Sequence, residues 1–381
     1  MPTSSPHRDN KPTLLHRLVV ASLVLLATTA QANTGMAEIP GQVADQQPVV
    51  VFYPTDGGGP SVQRWQFTLP VVESAAPVRG NGRLVVISHG SPSNPWVNAD
   101  LAIALTQAGF VVAVPWHLRD NSSDSSDAGP VSWKRRPLEV SAAIDTVLGD
   151  ARFAPLLTAD RVGAYGMSAG GHTVLTLAGG RWSPSALRDH CLAHLADDFV
   201  TCVGPTTTQL TGGWLDGVKL AVARWVIGWK MDDSTWYSHT DTRIGAIVVA
   251  VPLAADFDRA SLATPSVPLG LITARKDVWL VPRFHGEAVA RACAGCEWLA
   301  DIANGGHGAL LSPAPRREGR IAELVGDPPG FDRATEVPAT IGRVVDFFKR
   351  QLLTLATRRP IASVGLTIIC AGRGSAAGSV D

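Results

Sequence analysis

Arg161-Val162-Gly163-Ala164-Tyr165-Gly166-Met167-Ser168-Ala169-Gly170-Gly171-His172 decides the reading of this chain. An apolar run ends in Gly-x-Ser-x-Gly and passes into the helix-like stretch His172–Leu177. A serine hydroxyl is a weak nucleophile until a base takes its proton, and it must also be presented where a carbonyl can approach. A tight strand-to-helix turn presents it, and glycines flank the serine because the turn leaves no room for side chains. Ser168 is therefore the expected nucleophile.

Outward from this turn, short apolar runs alternate with helical stretches. Arg83–Ser88 reads as strand, Asn98–Ala108 as helix, Phe110–Pro115 as strand, Pro137–Leu148 as helix and Arg161–Tyr165 as strand. Farther on, Ile244–Val251 and Val267–Thr273 read as strands, Phe284–Ala292 as helix, Glu297–Ile302 as strand and Ala339–Leu353 as helix. Such alternation predicts an α/β fold, a mostly parallel doubly wound sheet with helices on both faces. Pro48–Tyr53 and Trp65–Leu69 are expected to form its antiparallel edge. Residues 181–243 are too long for an ordinary connection of about 2–6 residues and predict a helical cap inserted in the domain. Within them Leu215, Val218, Val222, Trp225 and Trp229 recur at helical spacing. That face is expected either to pack on the sheet or to form an aromatic wall for substrate through Trp225 and Trp229. Asp120–Gly129 reads as a solvated loop without a catalytic role.

The chain has 381 residues, 45% hydrophobic and 17% charged, enough for a full core. Lys+Arg and Asp+Glu both number 33, so no broad field attracts nucleic acid or an anionic membrane. Arg8, Lys11 and Arg17 precede the apolar run Leu18–Ala27, and Ala30-Gln31-Ala32 offers a cleavage site. Residues 1–32 thus read as a signal peptide for periplasmic or secreted export, 33–355 as the folded domain and 356–381 as a tail. The apolar run falls short of the roughly 20 residues of a spanning helix, so no stable membrane insertion is expected. Export permits disulfides, and the nearest pairings of the five cysteines are Cys191 with Cys202 and Cys293 with Cys296, leaving Cys370. No second Cys/His pair stands at zinc-ligand spacing, so no metal is expected.

The base should follow late in the chain. His172, His190 and His194 come too early, His239 ends the cap and His285 falls in a helix-like stretch. His307, in Asn304-Gly305-Gly306-His307-Gly308, is the expected base. Asp277, after the strand Val267–Thr273, is the expected acid that orients it, with Asp256 after the preceding strand as the alternative. The oxyanion donors should be the backbone N–H of Ala169 and that of Ser91, in His89-Gly90-Ser91, with Gly90 as the alternative.

Val85-Val86-Ile87-Ser88-His89-Gly90, Arg136-Pro137-Leu138-Glu139-Val140, Tyr165–His172, the strand leading to Asp277 and Gly306-His307 together resemble the dienelactone-hydrolase-like exported proteins related to platelet-activating-factor acetylhydrolase. The resemblance spans roughly residues 48–353. It implies an α/β-hydrolase fold and cleavage of a small carboxylic ester with an apolar part, through an acyl-enzyme and without cofactor or metal. Dienelactone hydrolases carry a cysteine nucleophile where this chain has Ser168, so lactone specificity does not carry over. In the phospholipid-cleaving relatives the acid follows the earlier strand, which keeps Asp256 open. A peptidase or amidase on the same triad and a catalytically silent binding module are the rival readings. Neutral imidazole is the working base, so activity is expected to rise with pH through roughly 6–7.5.

Overall fold

Strands that are apolar at both odd and even positions must be covered on both faces. The computed structural model describes Met1 and residues 33–354 except 206. The leader reading beyond Met1 and the tail 356–381, with Cys370, fall outside the described residues.

The chain opens with β1 (Asn33–Ile39), β2 (Val49–Thr55), β3 (Val62–Arg64), β4 (Phe67–Leu69), β5 (Val72–Glu73) and β6 (Leu84–Ser88). Then come α1 (Ala99–Gln107), β7 (Val111–Pro115), α2 (Pro130–Gly149), β8 (Val162–Met167) and α3 (Ala169–Leu177). The segment between α3 and β9 carries α4 (Pro184–His194), α5 (Phe199–Val203) and α6 (Asp216–Lys230). β9 (Ile244–Ala250), α7 (Arg259–Leu262), β10 (Leu269–Ala274), α8 (Gly286–Ala292), β11 (Glu297–Ile302), α9 (Gly319–Val325) and α10 (Arg333–Phe348) complete it.

Nine strands form one sheet in the order β11-β10-β9-β8-β6-β7-β2-β1-β5. From β11 to β7 every pairing is parallel; β2 joins β7 and β1 antiparallel. Along each strand the side chains alternate between two cores, as the pleat requires. Val85, Ile87, Val112, Val114, Tyr165 and Met167 face the core that α1 and α10 cover. Leu84, Val86, Val111, Ala113, Val162 and Ala164 face the one under α2 and α3. This is the expected doubly wound α/β sheet.

Several local expectations are corrected. The antiparallel edge partner of β2 is β1, whereas Phe67–Leu69 pairs with Val62–Arg64 in a separate hairpin turned at Trp65, φ 51°. α2 begins at Pro130, not Pro137. Pro137 forfeits the N–H that would reach the Trp133 carbonyl, and burial of Ser132, Arg136, Val140 and Ala143 along one face offsets the loss. α10 starts before Pro338, at Arg333, where the Asp332 side chain accepts from the Thr335 amide, and Lys349–Leu353 forms a π-turn.

The cap has its own small core of Leu187, Leu195, Phe199 and Ile227 around the Cys191–Cys202 disulfide; Cys293–Cys296 is the second disulfide. Among the described residues no helix is long and apolar enough to cross a membrane.

Candidate active site

The chain passes from β6 to β7 on one side and then crosses back to β8 on the other. The loops leaving β6 and β8 therefore diverge, and a crevice opens at their carboxyl ends, where α/β sheets hold ligands. The His89–Ser93 loop forms one wall and the Ser168 turn the other.

Ser168 has φ 58° and ψ −121°, a conformation that a non-glycine residue adopts only under constraint. Its amide donates to the Ala250 carbonyl at 3.0 Å, while its carbonyl accepts from the Leu253 and His172 amides. The flanking glycines are required by close approach: a Cβ on Gly166 would lie 1.9 Å from the Gly170 oxygen, and one on Gly170 1.9 Å from the Ser88 oxygen.

Three side chains meet at this turn. Ser168 Oγ lies 3.0 Å from His307 Nε2, and His307 Nδ1 lies 2.7 Å from Asp277 Oδ2. Asp277 Oδ1 accepts from the Trp279 and Leu280 amides, both at 2.8 Å, which leaves Oδ2 for the imidazole. The Lys276 amide donates to the Gly305 carbonyl at 2.9 Å, tying the aspartate loop to the histidine loop. Trp279 packs over the imidazole with ring centroids 4.8 Å apart. Asp277 and His307 are buried, and Ser168 is 9% exposed. Asp256 does not join this group. It is fully buried behind α3, where its Oδ2 pairs with His172 Nε2 at 3.0 Å, and that histidine is packed among Trp133, Trp182 and Phe257. His285 is the N-cap of α8 and not an interior residue: its Nδ1 accepts from the Ala254 amide and its Nε2–H reaches Asp198.

The loop facing Ser168 is held by a buried network that the sequence reading missed. A Cβ at Gly90 would stand 4.0 Å from Ser168 Oγ, so the Gly90–Ser91 backbone borders the hydroxyl. Ala169 is the first residue of α3, where an N–H has no helical acceptor. From α2, the fully buried Arg136 guanidinium donates to the His89 carbonyl at 2.6 Å, the Gly90 carbonyl at 3.0 Å and Asp120 Oδ2 at 2.8 Å. Asp120 Oδ1 accepts from Ser91 Oγ and Oδ2 from Ser132 Oγ. Asp120 is thus buried at the site, correcting its assignment to a solvated loop. Burial alone would raise its carboxyl, but the Arg136 charge with the Ser132 and Ser91 hydroxyls holds it below the usual range. His89 and His117 lie beneath, rings 4.7 Å apart; burial first and the Arg136 charge as well keep both well below the ordinary imidazole value, with the His117 charge adding to the effect on His89. His117 receives Ser88 Oγ at Nε2 and donates from Nδ1 to Glu139, whose carboxyl burial raises.

A ferulic acid esterase from Streptomyces cinnamoneus has a similar structure, with a TM-score of 0.55 over 86% of this chain and 92% of that one at 16% sequence identity. No protein-family model matches the sequence, and no curated protein matches it. The mostly parallel sheet with helices on both faces is consistent with the likeness. The chain has the α/β-hydrolase fold.

In this hydrolase fold the crevice ends in a cavity of about 150 Å³, bounded by Gly90, Ser91, Ser168 and His307 and otherwise mainly by Pro205, Trp279, Leu311 and Ile321. The cap contributes Pro205, not Trp225 or Trp229. Those two tryptophans stack on each other on the outer face of α6, 72% and 70% exposed. The face of α6 turned to the cap core is instead Leu220, Ala223, Ile227 and Met231. The stripe expected to face inward therefore faces out. His190, Asp198 and Cys202 bring potential ligand atoms within 4.8 Å, but the Cys202 sulfur is committed to its disulfide and Asp198 Oδ2 to His190 and His285. The cluster braces the cap, with Thr201 Oγ1 donating to the Trp279 carbonyl beside the aspartate loop.

Proposed function

We propose that this hydrolase-fold protein is a serine esterase that cleaves carboxylic esters through an acyl-enzyme. The observation that carries the proposal is the unbroken hydrogen-bonded line from Ser168 Oγ through His307 to Asp277 Oδ2. His307 Nε2 takes the hydroxyl proton as Ser168 Oγ attacks the ester carbonyl carbon, and Asp277 stabilises the imidazolium and fixes its tautomer. The carbonyl oxygen gains the charge and is held by the Ala169 and Ser91 amides. Collapse expels the alcohol, which leaves with the proton from His307. Water then gives a proton to His307 and attacks the acyl carbon, and Ser168 departs with that proton as the acid is released.

The motifs around Ser88–Gly90, Arg136 and Ser168 support kinship with the dienelactone-hydrolase-like exported proteins, with serine in place of cysteine. Export is inferred with it: two disulfides suit an oxidising compartment. A cavity of this size suits a compact acyl or alcohol group better than an extended peptide.

The test is hydrolysis of p-nitrophenyl acetate, butyrate and octanoate by protein starting at Asn33. Ser168→Ala and His307→Ala should abolish turnover, and Asp277→Asn should lower kcat by about 10³–10⁴-fold. Asp256→Asn should act mainly on stability. Turnover that survives Ser168→Ala, or a folded Asp256→Asn protein with a lower kcat than Asp277→Asn, would overturn the assignment.

A further inference from the structure

The catalytic cavity is mostly apolar; its polar lining is Ser168 and His307, Ser91 and Ser93, and one cation. Arg317, on the loop leading into α9, lines it beside Trp279, Leu311 and Ile321. A guanidinium nitrogen withdrawn from water at an apolar wall costs free energy unless it is hydrogen-bonded, and Arg317 is half-buried. Among the described residues Arg317 forms no ion pair, and its Nε is buried without a hydrogen-bond partner. The acids nearest in sequence do not serve it. Glu318 and Glu323 are exposed and unpaired with it, and Asp327 is taken by Arg333 at 2.5 Å. Arg320, three residues on, likewise forms no ion pair among the described residues, but unlike Arg317 it does not line the cavity. By contrast, Arg136, deeper in the same site, has every arm satisfied by Asp120 and backbone carbonyls.

We propose that Arg317 forms an anion subsite of the catalytic cavity, so that the preferred ester carries a carboxylate or phosphate one short apolar spacer away from the scissile carbonyl. The inference rests on the esterase reading and narrows its substrate class. A carboxylate or phosphate would supply the planar, charge-assisted partner that the guanidinium lacks. The apolar walls would hold the spacer, and Ser168 with His307 would meet the ester.

The deciding measurement pairs esters of matched length that differ in charge: monoethyl glutarate beside ethyl valerate for an anionic acyl part, and acetoxyacetate beside propyl acetate for an anionic alcohol part. Turnover is followed by acid release. The wild type should favour the anionic member of at least one pair in kcat/KM, and which pair responds locates the anion on the acyl or the alcohol side. Arg317→Met should lower that anionic-to-neutral ratio by about 10- to 100-fold, the worth of a charge-assisted bond, and Arg317→Lys should restore part of it. In Ser168→Ala protein, calorimetric binding of the preferred anionic ester should weaken by a similar factor on adding Arg317→Met. An unchanged ratio overturns the subsite while leaving the esterase reading intact. Binding of the anion that depends on Arg317 in a protein that turns over no ester would leave the subsite standing and remove the esterase reading.

Discussion

In the proposed mechanism Arg136 would act on the chemistry without touching the bond being broken. Its guanidinium fixes the carbonyls of His89 and Gly90, and through Asp120 it holds the Ser91 hydroxyl, so the peptide that faces Ser168 has little freedom. Replacing Arg136 by Met leaves Asp120 as a buried, unpaired carboxylate and should cost about 3–5 kcal/mol in urea unfolding. It should also lower kcat by about 10²–10³-fold, as expected where an oxyanion donor is displaced, with a smaller change in KM. Arg136→Met combined with Asp120→Leu removes both charges and should recover most of the stability. If kcat returns along with stability, the arginine merely supports the fold; if kcat stays low, it positions the oxyanion loop. None of this was legible in the sequence. Ser168 and His307 stand out because glycines flank them in loops after strands, and Asp277 because it closely follows a strand end thirty residues before His307. Asp120 stands before Asn-Ser-Ser-Asp, a string that reads as solvated, and only the packing of α2 against the loop buries it.

At the scale of elements, legibility follows how much of the pattern is local. The parallel strands were readable because β-branched runs buried on both faces leave few alternatives. β1, with Asn33, Gly35, Ala37 and Glu38, is a poor strand former by composition and exists because it pairs with β2 along seven residues. In α6, apolar residues occupy two adjacent stripes, and periodicity cannot say which one faces the core. The stripe with the larger residues lies outward, and the stripe centred on Ile227, 3% exposed, is buried. Ile227→Ala should therefore destabilise the cap by about 2–4 kcal/mol through the cavity it leaves. Trp225→Ser and Trp229→Ser should each change stability by less than about 0.5 kcal/mol, since exposed side chains away from buried features contribute little. Chemical unfolding followed by cap tryptophan fluorescence measures both. Reversal of this order would mean that α6 is rotated about its axis relative to the arrangement described.

For the whole molecule, the buried histidines couple folding to acid. His89 and His117 sit under the Gly90–Ser91 backbone with burial and Arg136 holding both well below the ordinary value of 6.5. His89 Nδ1–H donates to the Gly90 carbonyl at 2.8 Å, and its Nε2 has no partner among the described residues, so an added proton there would be buried without an acceptor. Above about pH 6.5 both histidines are neutral whether the chain is folded or not, and their titration does not affect stability. Below that value the unfolded chain binds a proton at each and the folded chain does not, so unfolding is favoured as pH falls. The slope approaches about 1.4 kcal/mol per pH unit for each histidine until the lowered folded values are reached. Asp120, whose carboxyl is held low in the folded state, adds to the loss only below the usual carboxylate range, so the two contributions separate along the pH axis. Urea unfolding from about pH 7 to about pH 5 should therefore show stability falling in the wild type. His117→Gln, which keeps a polar side chain toward Ser88 and Glu139, should remove about half of that slope while leaving the loss at lower pH in place. If the slope between about pH 6.5 and about pH 5 is the same in the variant, the acid sensitivity of the fold lies in groups other than this pair.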